Sequence, residues 1–301
     1  MPTLSIHVTD LCNSACSFCV VASPFYTKDS VDYRSVVDFL HANANQGFDT
    51  VNLHGGEPTI HPRFIDMLKL IRELGYPQAH VQTNGIRMAD PAYVATLVEL
   101  GVRSFIVSLH GDQPEVQDSQ TATPGGFTKT VQGIRNAKAL GIHVRTNTVI
   151  TRRNLDRLPS IVGLACDLGV DHINISNLHP VGSAIFAREN AMPTFAEMHD
   201  HVVSATQLAH AHGRGVTLEG FPCCVITECL GDMLTKAPRG IRMLARGTVL
   251  NDYDDFMAQD MSVYGEACRG CALRPRCGGV YPQYIEYRGW SEFVPVREAV
   301  V

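Results

Sequence analysis

The feature that most restricts the fold of this 301-residue chain is a regular alternation of strand-like and helix-like segments over its first 215 residues. The strand-like segments are short and rich in β-branched residues, and the helix-like segments carry apolar residues at helical spacing. Several helices end at a Leu-Gly pair, which is typical of a helix C-terminus. The predicted strands cover residues 4–8, 50–54, 79–83, 104–109, 144–150 and 172–176, and the predicted helices cover residues 31–45, 64–74, 91–100, 127–140, 155–168 and 195–211.

Six strands that alternate with six helices predict a parallel sheet with right-handed crossovers. Six units are fewer than the eight of a closed barrel, so we predict an α/β fold in the form of an open, partial (β/α)6 barrel of the TIM type. In parallel β/α sheets, ligands bind beyond the carboxyl ends of the strands. The residues that follow each strand are therefore the first candidates for a site.

Three cysteines follow the first predicted strand. Cys12, Cys16 and Cys19 have the spacing Cys-x3-Cys-x2-Cys, which allows one loop to place three thiolates around one inorganic cluster. Four thiolates close a [4Fe–4S] cube, so three leave one iron open for another molecule. The alternatives are buried core thiols or a zinc site, for which His7 is a possible fourth ligand.

Further candidates lie at the ends of the later strands. Gly55-Gly56-Glu57-Pro58 follows the second strand, and Thr83-Asn84-Gly85 follows the third. Glycines allow another group to approach the backbone closely, although they also occur in ordinary turns. Ser108 lies near the end of the fourth strand and Asn147 lies on the fifth. Taken singly, such residues are more often turn or cap residues than ligands.

The strand–helix alternation stops near residue 215, and a second group of cysteines follows. Cys268-x2-Cys271-x5-Cys277 lies about 45 residues after the adjacent pair Cys223 and Cys224. Adjacent residues of an extended chain point in opposite directions, so we expect one of the pair to complete a set of four. A closed [4Fe–4S] cluster and a four-cysteine zinc site both fit this spacing. We predict two domains, 1–215 and 216–301, the second held together by metal.

Composition excludes several functional classes. The chain is 45% apolar and 18% charged with a net charge of −5, so it has no basic surface for nucleic acid or anionic lipid. No apolar run approaches the ~20 residues that span a membrane, and the N-terminus lacks the pattern of a signal peptide. Ten cysteines in such a chain favour metal binding in a reducing, cytoplasmic compartment over disulfides.

These motifs resemble a known family. Cys12-x3-Cys16-x2-Cys19 after the first strand, with Phe18 before the last cysteine and Gly55-Gly56-Glu57-Pro58 after the second strand, resembles the signature of the radical S-adenosylmethionine (SAM) superfamily. The C-terminal region is similar to the SPASM and twitch domains, which hold auxiliary clusters in that superfamily. No cysteine follows Cys277, so the resemblance favours a single auxiliary [4Fe–4S] cluster, as in a twitch-type domain.

The resemblance implies a specific cofactor arrangement. SAM chelates the open iron, is reductively cleaved to a 5′-deoxyadenosyl radical, and the radical abstracts hydrogen from a substrate. By the same resemblance, Gly55, Gly56 and Glu57 contact the methionyl end of SAM. Contacts to its carboxylate, ribose or adenine surroundings are implied for Thr83, Asn84, Ser108 and Asn147. A flavodoxin-type or ferredoxin-type protein is the implied electron donor, and no catalytic acid or base is assigned.

Three hypotheses on function follow. The first is a radical SAM enzyme that acts on a small molecule in cofactor or natural-product biosynthesis. The second is a maturase that forms thioether or C–C crosslinks in a ribosomally made peptide. The third, an iron–sulfur or zinc protein without turnover, leaves the glycine motif and the barrel mouth unexplained.

Overall fold

The structure is a computed structural model that describes residues 2–29, 31–234 and 239–297. Its centre is one open sheet of nine strands with the order β7-β6-β5-β4-β3-β2-β1-β8-β9. All neighbours are parallel except β8 and β9, which form a hairpin. The strands are β1 Thr3–His7, β2 Thr50–His54, β3 Gln78–Thr83, β4 Val102–Ser108, β5 His143–Val149, β6 His172–Ser176, β7 Gly215–Glu219, β8 Ile241–Ala245 and β9 Thr248–Leu250.

Helices connect the strands and cover one face of the sheet. The ends of several are fixed by side-chain caps, such as the reciprocal capping box of Thr194 and Glu197 at the start of α8. The helices are α1 Tyr33–Asn43, α2 Phe64–Glu73, α3 Pro91–Glu99, α4 Pro114–Thr121, α5 Gly126–Ala139, α6 Leu158–Asp167, α7 Ala184–Ala191, α8 Phe195–Ala211, α9 Tyr253–Gln259 and α10 Pro282–Arg288. None of the helices in the described residues is long and apolar enough to cross a bilayer.

The two faces of the sheet differ in polarity. Leu4 and Ile6 of β1 pair in register with Val51 and Leu53 of β2, and all four side chains are fully buried. Burial of each such side chain contributes about 2 kcal/mol to folding. The opposite face carries a polar row across the strands, in the order Ser108, Asn147, Asn174 and Thr217. The concave face of the open barrel therefore presents polar side chains that can contact a bound molecule.

The predicted fold class is confirmed, and the six predicted strands and helices are present with small shifts at their ends. The sheet is larger than predicted, because β7, β8 and β9 add to the six expected strands. These three strands lie beyond residue 214, so one hydrogen-bonded sheet includes residues from both sides of the predicted division. The division into 1–215 and 216–301 stays a prediction.

Candidate active site

The three N-terminal cysteines line one cavity at the carboxyl ends of β1 to β5. The cavity has a volume of about 930 Å³, including the solvent space at its mouth. Nine residues predicted from the sequence line it: Cys12, Cys16, Cys19, Gly55, Gly56, Thr83, Asn84, Ser108 and Asn147. We call it the cysteine-loop cavity.

Glu57 is the one member of the predicted set that does not line this cavity. Its side chain is fully buried beneath the loop. The carboxylate accepts hydrogen bonds from Thr83 Oγ1 at 2.7 Å and from the backbone N–H of Asn84 at 2.6 Å, as well as from the backbone and hydroxyl of Thr59. Burial raises its pKa, and these hydrogen bonds oppose that rise. In the structure the carboxylate of Glu57 thus fixes the turn after β3, and the contact of Glu57 with SAM stays a prediction.

The glycine pair packs directly against the cysteine loop. The backbone N–H of Gly56 donates to Thr9 O at 2.6 Å, and that of Glu57 donates to Leu11 O at 2.8 Å. A Cβ at Gly56 would overlap the carbonyl oxygen of Leu11, and Gly55 has a φ of +147°, which side chains disfavour. Packing of two loops therefore requires both glycines, whatever the cavity binds.

Two further elements hold the cysteine loop. The last turn of α4 accepts hydrogen bonds from the loop, with Ala15 N–H donating to Thr121 O at 2.8 Å. On the other side, the N–H of Ser183 donates to Cys19 O at 2.9 Å. Asn84 contributes its side chain, whose Nδ2 lies 2.7 Å from Asn13 Oδ1 and 3.9 Å from the sulfur of Cys12. The loop is therefore positioned by contacts from several strands and helices.

Several residues that line the cavity were not predicted from the sequence, and His110 is the most informative of them. It is buried just after β4, its Nδ1 accepts a hydrogen bond from the N–H of Val149 at 3.2 Å, and its ring meets the edge of Phe18 at 4.7 Å. Burial lowers the pKa of His110 to about 4, so the ring is neutral and Nε2 carries the proton. Its place after a strand end was the available signal. The others include Gln82, Gln117, Thr121 and Thr130.

Two thiols of the loop, those of Cys12 and Cys16, need a metal to become thiolates. Burial raises the pKa of Cys12 to about 11, and it raises that of Cys16 further. At neutral pH both are protonated unless a cation or metal cluster offsets the cost of the charge. Three thiols around a glycine-lined cavity provide the donor chemistry of a site-differentiated [4Fe–4S] cube, and the residues present fit that group.

A second cavity, of about 430 Å³, contains the C-terminal cysteines. Apolar side chains, among them Leu273, Val280 and Phe293, form much of its wall. This environment suits a buried, fully ligated cluster. We call it the auxiliary cysteine cavity, and its cysteines are Cys223, Cys224, Cys268, Cys271 and Cys277. The remaining two, Cys166 and Cys229, are buried elsewhere in the core.

Cys223 and Cys224 have different surroundings within that cavity. The backbone N–H of Cys223 donates to Cys277 Sγ at 3.4 Å, and a side-chain hydrogen bond with Cys277, followed by burial, raises the pKa of Cys223. Cys224 interacts electrostatically with all three of Cys268, Cys271 and Cys277, while burial is the main cause that raises its pKa to about 11. The charges of all three C-terminal cysteines thus contribute to the raised pKa of Cys224, whereas Cys277 is the one of these three that contributes to that of Cys223.

A third cavity, of about 830 Å³ including the solvent space at its mouth, is lined by residues from the end of β7 and from the C-terminal region. Its wall includes Glu219, Phe221, Arg239, Tyr253, Asp254 and Tyr281, and we call it the Glu219 cavity. Glu219 Oε2 accepts from Asn174 Nδ2 at 3.0 Å, and the same amide donates to Asn147 Oδ1 at 2.7 Å. Asn147 lines the cysteine-loop cavity. Gly278 and Gly279 line the Glu219 cavity and directly follow Cys277 in the chain. The Glu219 cavity is thus adjacent to both cysteine sets.

In the described ranges, no group of three or more His, Cys, Asp or Glu side chains has the arrangement that would hold a single metal ion.

The region that contains this site matches a known protein family. Residues 6–176, more than half of the chain, match the radical SAM superfamily. This region contains the cysteine loop, the glycine pair, strands β2 to β6 and the last two residues of β1.

Curated relatives and solved structures extend the comparison. A probable GTP 3′,8-cyclase of Saccharolobus islandicus is 31% identical over 180 residues, which are 60% of this chain and 58% of that relative. The structure of Streptococcus suis SuiB bound to precursor peptide SuiA has a TM-score of 0.68 at 16% identity and covers 99% of this chain and 75% of SuiB. The structure of native anSMEcpe with bound AdoMet has a TM-score of 0.70 at 15% identity and covers 99% and 94%. Because both sequence identities are below 25%, these two structures show a similarity in fold alone.

Proposed function

The chain belongs to the radical SAM superfamily, and we propose that it is an enzyme that cleaves SAM at the cysteine loop and abstracts hydrogen from a small molecule held in the Glu219 cavity. The observation that carries this proposal is the arrangement of three thiols and a glycine pair around one cavity at the carboxyl ends of the strands. When bound, the reduced [4Fe–4S] cluster and SAM supply the 5′-deoxyadenosyl radical, and the protein supplies orientation and exclusion of water.

The proposed ligands of the SAM-binding cluster are Cys12, Cys16 and Cys19. Gly55 and Gly56 leave room beside the loop, and their backbone groups face the same cavity as Asn84, Ser108 and Asn147. We assign these groups to SAM, with Thr83 lining the cavity and Glu57 acting from beneath through Thr83 and Asn84. The neutral His110 adds an N–H donor to this set.

We assign the auxiliary [4Fe–4S] cluster to Cys268, Cys271 and Cys277 with one upstream cysteine, and we favour Cys224 because it interacts with all three. An apolar, four-cysteine environment supports a role in electron transfer or structure. A flavodoxin-type or ferredoxin-type protein remains our proposed donor of the electron that reduces the SAM-binding cluster.

The Glu219 cavity is the proposed substrate site because it lies next to both cysteine sets. Its wall combines aromatic surface from Tyr253 and Tyr281 with a carboxylate, Glu219. Among the described residues, Glu219 Oε1 has no hydrogen-bond partner and can accept from a substrate N–H or O–H. A relative named for the cyclisation of GTP supports the small-molecule reading.

The second candidate is modification of a peptide. It is favoured by the likeness in fold to SuiB, which has been solved with its precursor peptide. An extended peptide needs an open route to the reactive centre, and the lateral mouth of the open sheet provides one. Both candidates share the same chemistry at the cysteine loop.

The test is anaerobic reconstitution followed by incubation with SAM and dithionite. Two clusters correspond to about eight iron and eight sulfide per chain, and the enzyme is expected to form 5′-deoxyadenosine. Absence of SAM cleavage in fully reconstituted protein contradicts both candidates. Faster cleavage with GTP or another small metabolite favours the first, and faster cleavage with a peptide encoded near this gene favours the second.

A further inference from the structure

A residue from the C-terminal part of the sheet reaches the cysteine loop. Arg246 lies in the two-residue turn between β8 and β9, and β8 pairs with β1, the strand that leads into the loop. Arg246 Nε donates to Asp10 Oδ1 at 2.7 Å, and its NH2 group donates to Val21 O at 3.0 Å. Its guanidinium also lies over the ring of Tyr26 at 5.1 Å.

The two partners lie at opposite ends of the loop. Asp10 precedes Cys12 by two residues, and Val21 follows Cys19 by two. One guanidinium therefore joins the entry and the exit of the segment that contains all three cysteines. A planar group with several fixed N–H donors is suited to this bridge, whereas a lysine ammonium is a single point.

The backbone of Arg246 provides a second, independent observation. Arg246 has a φ of +48° and Gly247 a φ of +81°, so both residues of the turn are left-handed. Tight hairpin turns of this kind prefer Asn, Asp or Gly at the first position, because a longer side chain disfavours that conformation. The turn alone thus does not account for arginine, but its side-chain contacts do.

The charge on Asp10 gives the bridge its importance. The Asp10 side chain is fully buried, and His7 Nε2 lies 2.9 Å from the same oxygen that Arg246 contacts. Removal of a cation from beside a buried carboxylate is strongly unfavourable, and the backbone around it is expected to rearrange. The entry to the loop therefore depends on Arg246 as well as on β1.

We infer that Arg246 is a positioning residue that bridges the two ends of the cysteine loop and keeps its three thiols in place for cluster binding. The inference rests on the proposed function in that it takes this loop as the site of the SAM-binding cluster. It also means that a residue from beyond the predicted 1–215 domain completes that site.

The test compares R246N, R246K and R242A in the full-length protein. R246N retains a residue favoured in the turn and removes the guanidinium, while R246K retains the charge. Arg242 is the matched control on β8, because its hydrogen bonds go to Asn43 and Gln46 of another region. Hydrogen exchange of residues 10–21 is measured in the metal-free protein, so this readout does not depend on activity. Iron content and the midpoint potential of the SAM-binding cluster are measured after reconstitution.

For R246N we expect exchange in residues 10–21 to accelerate at least tenfold and iron to fall from about eight towards about four per chain, with the auxiliary cluster retained. Any remaining SAM-binding cluster should have a more negative potential, because the positive charge of Arg246 beside the loop has been removed. R246K should restore part of the protection, and R242A should match wild type. Wild-type exchange and iron content in R246N would overturn the inference. If wild type binds no cluster, the proposed function fails, while the exchange result still decides whether Arg246 holds the loop.

Discussion

The carboxylate of Glu57 accepts a 2.6 Å hydrogen bond from the backbone N–H of Asn84, and so connects the glycine motif after β2 to the turn after β3. Both Glu57 oxygens are engaged, because the other accepts from Thr59 and Thr83. A single buried side chain therefore sets the distance between two walls of the cysteine-loop cavity.

The first prediction is that Glu57→Gln weakens SAM binding at least tenfold. The amide places an NH2 group opposite one of the donors, and loss of one hydrogen bond to a buried charged group costs about 1.5–3 kcal/mol. Equilibrium dialysis of SAM against reconstituted protein measures the change. Glu99→Gln, on the exposed end of α3, is the matched control and should bind as wild type. Unchanged affinity in Glu57→Gln would show that the turn does not need this carboxylate.

The second prediction concerns the glycine pair. Gly56→Ala introduces a Cβ that overlaps Leu11 O, so the cysteine loop has to move and iron incorporation should fall from about eight towards about four per chain. Gly231→Ala, where no atom lies within 4 Å of the new Cβ, should incorporate iron normally. Iron and sulfide analysis after reconstitution measures both. A fully loaded Gly56→Ala protein would contradict the packing argument.

The third prediction separates the two cysteine sets. Cys12→Ala, Cys16→Ala and Cys19→Ala should each abolish SAM cleavage, whereas Cys268→Ala should retain part of it and lose product formation. Formation of 5′-deoxyadenosine is the measurement for all four variants. The reverse pattern would exchange the proposed roles of the two sites.

The fourth prediction distinguishes the neighbouring cysteines of the auxiliary site. Cys224→Ala should lose about four iron, because Cys224 interacts with the other three cysteines, whereas Cys223→Ala should retain most of them. Spectroscopy of the cluster after reconstitution of each variant is the measurement. Equal loss in both variants would mean that the pair acts jointly.

The fifth prediction is a pH dependence of stability in the metal-free protein. The pKa of His110 is about 4 in the folded chain and near 6.5 when unfolded, so only the unfolded chain takes up a proton as the pH falls from 7 to 4. Stability is therefore present above pH 6.5 and declines below it, by up to about 3 kcal/mol at pH 4 from this residue. Urea unfolding at several pH values should show a smaller decline in His110→Gln. His41→Gln, on the exposed side of α1, should decline as wild type does.

The architecture was largely predictable from the sequence because its strands and helices alternate with clear periodicity. Helix α4 was missed because Pro114–Thr121 is mostly polar and has no apolar stripe. Strand β9 has three residues and depends on its hairpin with β8, so local sequence does not define it. Elements that depend on tertiary contacts are the ones that periodicity misses.

The lining of the cysteine-loop cavity was predictable where the chemistry determines the residue type, as for the three cysteines and two glycines. The role of Glu57 was not, because a buried carboxylate that accepts four hydrogen bonds looks the same in sequence as one that binds a ligand. Arg246 was hidden for a different reason. It reaches Asp10 from 236 residues away, and no local pattern indicates such a contact.

The position of β8 beside β1 has a consequence for synthesis in the cell. The ribosome releases β1 and the cysteine loop first, but the strand that covers the free edge of β1 follows more than 200 residues later. Until then the nascent chain presents an unpaired edge and a loop without Arg246. Insertion of the SAM-binding cluster is therefore expected late in translation or after the chain has left the ribosome. A pulse of iron given during synthesis would be incorporated only once residue 246 has left the ribosome.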